Sequence, residues 1–272
     1  MTKWIFIVFL GIAFSGNAQD SLQYTWKEKS SFPLDSSSTW SVDQLENHYV
    51  SSNGSIHKYD STGLLRFVQS VKSYGDMTAL VPINAMKLVH FSEEQQTVCF
   101  FDNTLTAYQD CIDLLEGDIL NASLVCASSQ SDRLWILDQL NSTLHQIAFG
   151  GNNVGFAIDN LAGILDMNRV AQILESGEKL YMLDQLKGIY VFDIYGSFID
   201  LYAYKNIEGF DVLGNTLFML ENDRLILTSI VNDESIEIVL PVKGVFQFKT
   251  TNNGIFLRTP ESVHKFELQF TQ

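Results

Sequence analysis

The hydrophobic pattern of the chain shows almost no helical period. Instead, a short aromatic-rich run, a polar turn, a second apolar run and another turn recur along the sequence. Runs of about five residues between turn residues predict β-strands. Six copies of the first run lie at 48–52, 88–92, 134–138, 180–184, 217–221 and 255–259.

One column of these six copies is almost entirely aromatic. Its members are Tyr49, Val89, Trp135, Tyr181, Phe218 and Phe256. The second run carries an aliphatic column in step with it: Ile56, Val98, Leu144, Ile189, Leu225 and Val263. A period near 40 residues with several strands in each unit is typical of propeller blades. The sequence therefore predicts an all-β, six-bladed β-propeller of four-stranded antiparallel blades.

The strands of one blade can be placed from the turn residues. Around Tyr181 we expect strands at about 169–175, 179–184, 188–193 and 197–204. The sixth copy runs only to its third strand before the chain ends, whereas a spare strand, about 22–28, precedes the first inner strand near 39–42. We therefore expect an N-terminal strand to complete the last blade and close the ring, which protects sheet edges that would otherwise invite aggregation.

The first 18 residues have the features of a secretory signal peptide. Lys3 supplies a positive charge, residues 4–14 are apolar, and Gly16 and Ala18 fit a cleavage site after Ala18. The apolar run is shorter than the roughly 20 residues that span a bilayer, so we expect no transmembrane anchor. The end of this segment resembles signals from Bacteroidota. We predict residues 1–18 as a signal peptide and 19–272 as one exported propeller domain, in the periplasm or at the cell surface.

The copies resemble NHL repeats. Residues 179–184, 188–193 and Gly196 follow the strand, turn, strand, Asp and Gly order of that family, and so do residues 48–63. The resemblance covers nearly the whole chain after residue 18. NHL-like and other six-bladed propellers include protein-binding platforms, carbohydrate binders, hydrolases and lyases, so the resemblance implies the fold more than the activity.

The charge of the chain restricts its partners. The formal net charge of −15 becomes −16 when Lys3, the one charged residue of 1–18, is lost with the signal. A chain this acidic without a basic cluster repels phosphate backbones, so we expect no nucleic-acid partner. Cys99, Cys111 and Cys126 allow at most one internal disulfide, and the preferred interpretation is three small buried apolar side chains.

The candidate site residues are acidic and aromatic. Asp138, Asp184 and Glu221 end the second strands of their blades, where the second-to-third strand turns gather on one face of the ring, and Tyr74 is a candidate binding aromatic. An Asp before a tight turn commonly accepts hydrogen bonds from the turn's own backbone, so these carboxylates are weak candidates. Loops expected on the same face add Glu93, Glu94, Asp118, Asp166 and Glu208.

No catalytic signature is present. The sequence has no G-x-S-x-G elbow and no phosphate-binding glycine loop. His57, His145 and His264 share one repeat column, but their blades point them apart, so we expect no shared metal site.

The leading hypothesis is a non-enzymatic binding or scaffolding module of the cell envelope that binds a protein or a glycan through one propeller face, without a cofactor. The alternative is a calcium-dependent, lactonase-like hydrolase, which needs carboxylates and amides that converge on the central channel. A third possibility, a structural subunit of an envelope complex, predicts an exposed apolar patch.

Overall fold

The computed structural model describes residues 23–130, 132–149, 154–159 and 161–271. These residues form six antiparallel sheets of four strands each, which confirms the predicted six-bladed propeller. The predicted signal segment, 1–18, lies outside the described residues. Within the described ranges, no helix is long and apolar enough to cross a membrane.

The strands follow one another blade by blade. The first strand of the described residues is β1 (Gln23–Pro33). Blade 1 contains β2 (Thr39–Val42), β3 (His48–Ser52), β4 (Ser55–Tyr59) and β5 (Leu65–Ser70). Blade 2 contains β6 (Ala79–Asn84), β7 (Lys87–Ser92), β8 (Thr97–Asp102) and β9 (Ile112–Asp113). Blade 3 contains β10 (Ala122–Ala127), β11 (Arg133–Asp138), β12 (Thr143–Ala148) and β13 (Val154–Ile158).

The second half repeats this order. Blade 4 contains β14 (Val170–Ser176), β15 (Lys179–Asp184), β16 (Gly188–Asp193) and β17 (Phe198–Tyr202). Blade 5 contains β18 (Gly209–Leu213), β19 (Thr216–Glu221), β20 (Arg224–Ser229) and β21 (Ser235–Val239). Blade 6 contains β22 (Gln247–Thr251), β23 (Gly254–Arg258) and β24 (Ser262–Thr271). Single turns of 3-10 helix lie at Lys72–Tyr74, Leu115–Gly117, Leu161–Gly163 and Met167–Arg169.

The N-terminal strand β1 completes blade 6, as the sequence predicts. It pairs antiparallel with β24, so that the last sheet has the order β1, β24, β23, β22. Trp26 donates its indole N–H to the carbonyl of Val239 at 2.9 Å, and the Val239 N–H donates to the hydroxyl of Tyr24 at 2.8 Å. The strand therefore also attaches blade 6 to the outer strand of blade 5.

The repeat columns fill the space between neighbouring blades. Every member of the aromatic column is buried, as is every member of the aliphatic column. Tyr181, for example, packs with Phe210 and Leu217 of the next blade in one apolar cluster. Burial of these rings removes large apolar areas from water and accounts for the regular spacing of the repeat.

The predicted blade around Tyr181 is confirmed with small shifts at its edges. Both middle strands, β15 and β16, have the predicted bounds. The outer strand begins one residue later than expected because Ser197 belongs to the preceding turn, where its backbone N–H donates to Asp193 Oδ1 at 2.8 Å. It ends two residues earlier, at Tyr202, whose carbonyl accepts from the Tyr204 N–H at 2.8 Å.

The interpretation of all three cysteines as unpaired apolar side chains is wrong for two of them. Cys99 and Cys111 form a disulfide, and Cys126 is a buried free thiol. The loop after β8 folds back on its own strand, with the Tyr108 N–H donating to the Phe100 carbonyl at 3.0 Å, and this return brings Cys111 beside Cys99. A spacing of 12 residues in sequence does not reveal that return.

The alternation of strand direction defines two faces. The second-to-third strand turns and the connections from blade to blade lie at one end of the sheets, which we call the connection face. The first-to-second and third-to-fourth strand turns lie at the other end, the opposite face.

Candidate functional site

The central channel is lined by the six inner strands and is largely apolar. It encloses about 410 Å³. Its apolar lining residues are Trp40, Val42, Ala79, Leu80, Val81, Pro82, Val125, Cys126, Ala127, Ile173, Leu174, Phe210, Phe246 and Phe248. Among the described lining residues, Glu208 is the only one with a carboxylate, so the converging carboxylates that the hydrolase alternative requires are not found there.

Most polar side chains of the channel bond neighbouring strands or turns; among the described lining residues the Ser41 hydroxyl is the exception. The Gln172 side-chain amide donates to the Phe210 carbonyl at 2.7 Å, and its oxygen accepts from the Phe210 N–H at 3.0 Å. Lys249 pairs with the buried carboxylate of Asp211 at 2.6 Å. Glu208 accepts from the backbone N–H of Asn222 at 2.9 Å. These groups bridge strands and turns rather than point together at a ligand.

The one thiol of the channel is a poor nucleophile. Cys126 is buried, and burial together with the charge of Glu175 raises the pKa of its thiol far above the usual range. The thiol therefore stays protonated at neutral pH, whereas the thiolate is the reactive form.

The three histidines of the repeat column, His57, His145 and His264, do not share a metal-ion site among the described residues. Among the residues that the structure describes, no group of three or more His, Cys, Asp and Glu side chains is arranged to hold a metal ion. Burial lowers the pKa of His145, and His264 hydrogen-bonds Glu28 at 2.9 Å and Ser262 at 2.7 Å.

Asp138 lies on the connection face but is completely buried, with 0% exposure. Its carboxylate accepts from the backbone N–H groups of Leu120 at 2.9 Å, Asn121 at 3.2 Å, Leu140 at 3.1 Å and Asn141 at 3.3 Å. The Asn141 side-chain amide adds a bond at 2.9 Å. Asp138 thus joins the second-to-third strand turn of blade 3 to the connection that enters this blade.

Asp184 has the equivalent place in blade 4. It is also completely buried, and it accepts from the Leu186 N–H at 2.9 Å and pairs with Arg169 at 3.2 Å. Arg169 belongs to the connection that enters blade 4, so this carboxylate too holds a turn against a connection.

Glu221 and Tyr74 lie on the same face in separate surroundings. Glu221 pairs with Arg224 across the turn of blade 5 at 2.9 Å. Tyr74 is half-buried and packs edge-on against His90 and Phe101, with ring centroids 6.1 and 5.8 Å apart. The four predicted residues therefore share a face without forming one cluster.

The sequence interpretation missed a three-residue motif that begins at three of the buried aspartates, Asp43, Asp138 and Asp184. The triplet Asp-Gln-Leu occurs at 43–45, 138–140 and 184–186. In each copy the aspartate accepts the N–H of the leucine, and the leucine side chain faces solvent: Leu45 is 66%, Leu140 66% and Leu186 59% exposed. The recurrence of the triplet is the signal in the sequence that could have identified turns with an exposed leucine.

Exposed apolar side chains continue beside Leu140 and Leu186 on the connection face. We call the set the apolar arc; its members are Leu115, Leu120, Leu140, Ile164 and Leu186. Leu120 and Leu140 donate to the same Asp138 carboxylate, so they are neighbours. The Gln139 amide then reaches the Met167 carbonyl at 3.3 Å, in the connection that carries Ile164. The arc therefore extends over the face of blades 2 to 4 on turns tied to one another.

Acidic residues outnumber basic ones around the arc. Its exposed acidic neighbours in the chain are Asp113, Glu116, Asp118, Asp159 and Asp166. The basic residues are Lys187 and Arg169, and Arg169 is paired with Asp166 and Asp184. The surroundings therefore carry a negative balance that favours a basic partner.

Comparison with known proteins shows likeness in fold. Virginiamycin B lyase from Staphylococcus aureus is similar at 9% identity over 90% of this chain and 99% of that one, with a TM-score of 0.61. A chain of the mitotic checkpoint complex is similar at 10% identity over 98% of this chain and 99% of that one, at 0.58. PorZ, an essential surface component of the type-IX secretion system of Porphyromonas gingivalis, is similar at 12% identity over 91% of this chain but 39% of its own, at 0.51.

The likeness establishes the β-propeller fold. At these identities it carries no activity from one protein to another. No protein-family model matches the sequence, and no curated protein matches it.

Proposed function

We propose that this protein is a non-enzymatic scaffolding module of the cell envelope that holds a protein partner on the apolar arc of its connection face. The observation that carries the proposal is the arc itself: five large apolar side chains are exposed on turns and connections of one face. The buried carboxylates of Asp138 and Asp184 bond the backbone of three of them, Leu120, Leu140 and Leu186. Apolar side chains gathered on one face of a monomer commonly mark an interaction site. This is also the feature expected of a structural subunit of an envelope complex.

The way the turns are held supports binding. A turn that is already ordered loses little conformational entropy when a partner docks, so more of the contact energy remains as affinity. The acidic residues around the arc favour a partner that brings basic residues beside an apolar centre, which is the usual anatomy of an interface. An envelope location rests on the predicted signal peptide. The fold likeness to PorZ, a bacterial surface component of a secretion system, agrees with such a location.

The hydrolase alternative receives no comparable support. The channel walls are largely apolar, and most of their polar side chains already bond neighbouring strands or turns. A fold likeness to a lyase does not supply a catalytic set.

The experiment compares three forms of the tagged full-length protein, each purified from the cells that make it and analysed by mass spectrometry. The test variant carries Leu140→Asp and Leu186→Asp. The matched control carries Leu45→Asp, because Leu45 has the same Asp-Gln-Leu turn and a similar exposure but lies on the opposite face.

We expect the wild type and the Leu45→Asp control to retain one stoichiometric protein partner at moderate salt, and the double variant to lose it. In the complex, the two introduced aspartates would be buried against apolar groups without a partner of opposite charge, which is strongly unfavourable. Equal thermal stability of the three forms excludes unfolding as the cause. A partner that survives both substitutions, or no stoichiometric partner with the wild type, contradicts the proposal.

A further inference from the structure

A second site lies on the opposite face, between blades 2 and 3, and is separate from the apolar arc. It is a pocket of about 180 Å³. Its lining residues are Lys87, Phe100, Tyr108, Gln109, Asp132 and Phe149. They come from the first residue of β7, from β8 and the loop after it, from the residue before β11 and from the residue after β12.

Aromatic rings form the apolar part of the pocket. Phe100 and Phe149 lie with ring centroids 4.3 Å apart and planes tilted by 46°. Tyr108 lines the same pocket and is 54% exposed, so much of its ring is open to a ligand. Exposed aromatic faces next to hydrogen-bonding side chains suit a ligand that is itself partly apolar and partly polar.

The charges of the pocket are already balanced. The Lys87 ammonium pairs with the Asp132 carboxylate and lies over the rings of Tyr108 and Phe149, 6.0 and 5.6 Å from their centroids. The Lys87 ammonium therefore occupies the place over the aromatic rings where a cationic ligand would make its cation–π contact. A lysine or arginine side chain of another protein would meet this ammonium, so the pocket favours an uncharged ligand.

The loop that carries Tyr108 and Gln109 is fixed before any ligand arrives. The Cys99–Cys111 disulfide closes it at its two ends. Inside the loop, Asp102 Oδ1 accepts from the backbone N–H groups of Thr104 at 2.8 Å and Thr106 at 2.9 Å. Such a loop loses little entropy on binding, which is a feature of pre-formed ligand sites.

We propose that this pocket binds one uncharged pyranose ring, such as the terminal sugar of a glycan. The C–H face of the ring stacks on Tyr108, while the Gln109 amide and the Asp132 carboxylate hydrogen-bond its hydroxyl groups. The volume of about 180 Å³ is below the range of about 300 Å³ and upward that is typical of sites for larger molecules, so one ring is accommodated rather than a chain.

The test is saturation-transfer-difference NMR on the full-length protein. The probes are methyl β-glucoside, methyl β-galactoside, methyl α-mannoside and N-acetylglucosamine, with n-butylammonium as the cationic comparison. The variants are Tyr108→Ala and Gln109→Ala. Tyr195→Ala is the matched control, because Tyr195 belongs to the corresponding third-to-fourth strand turn of blade 4, is 74% exposed and lines neither this pocket nor the central channel.

We expect at least one sugar to receive saturation and n-butylammonium to receive none. The Tyr108→Ala and Gln109→Ala substitutions should weaken sugar binding about fivefold or more. Each removes a contact that supplies a large part of the small binding free energy of a ligand with a millimolar Kd. Tyr195→Ala should bind as the wild type does. Absence of saturation for every sugar, binding of n-butylammonium at this pocket, or equal losses in the Tyr108 and Tyr195 variants would overturn the proposal. None of these outcomes depends on the partner of the apolar arc.

Discussion

Replacement of Asp138 by alanine tests whether the buried carboxylates of the connection face are structural. The side chain is completely buried and accepts four backbone N–H groups and one side-chain amide. Asp138→Ala removes both acceptor oxygens at once and leaves these five donors without this partner. The turn of blade 3 and the connection that enters it then lose the group that joins them.

The size of the effect follows from these bonds. A hydrogen bond to a charged group contributes about 1.5–3 kcal/mol, and a buried donor left unsatisfied costs about 1–3 kcal/mol. The contributions are not additive, and single substitutions seldom exceed about 4–5 kcal/mol. We therefore expect Asp138→Ala to lower the free energy of unfolding by about 4 kcal/mol, or the Tm by about 12 °C for a chain of this size. Asp138→Asn keeps one acceptor oxygen and should lose about half as much.

Urea unfolding followed by tryptophan fluorescence measures the change, with Glu116→Ala as the control. Glu116 is exposed on the same face, and its removal should change the free energy of unfolding by less than about 0.5 kcal/mol. A loss below about 1 kcal/mol for Asp138→Ala would refute the reasoning. The turn of blade 3 would then be held mainly by contacts other than those of Asp138.

Three further predictions concern stability. Burial lowers the pKa of His48 from 6.5 to about 4, so the unfolded chain binds a proton below pH 6.5 that the folded protein does not, and the free energy of unfolding should fall by about 3 kcal/mol as the pH falls towards 4. Urea unfolding at pH 7, 5.5 and 4 should show a flatter pH profile for His48→Gln, and equal profiles would contradict this. Cys111→Ser should lower the free energy of unfolding by about 3 kcal/mol through loss of the disulfide; a reductant should destabilise the wild type and leave the variant unchanged, and an equal response of both proteins would count against it. Deletion of β1 should expose the edge of β24 and cause self-association, seen by size-exclusion chromatography with light scattering; a stable monomer without β1 would show that this strand is dispensable.

Much of the fold could be predicted because the repeat is dominated by burial. A ring at Tyr49, Tyr181 or Phe256 must leave water, and a column that recurs every 37 to 46 residues places each ring at the same point of successive blades. The strand bounds of β15 and β16 followed from turn residues beside them. The completing strand β1 followed from the missing fourth strand of the last blade.

The candidate site was predicted less completely. Asp138 and Asp184 could be placed at the ends of their strands, and the turn-capping interpretation matches the bonds they make. The apolar arc was missed because Leu140 and Leu186 are ordinary residues in sequence, and their exposure depends on how the turn directs each side chain. A leucine inside a strand and a leucine at a turn tip differ in surroundings, not in type.

The sequence by itself therefore determined the number of blades, the closing strand and the residues that pack between blades, because periodicity and hydrophobicity are local properties that add up along the chain. Tertiary structure alone decided three other features: the Cys99–Cys111 pairing, the grouping of leucines from blades 2 to 4 on one face, and the aromatic pocket between blades 2 and 3. Each joins side chains whose positions depend on the path of a loop or on the contact between blades. No periodic pattern encodes those positions, because they are set by contacts within a blade and between blades that form only in the folded structure.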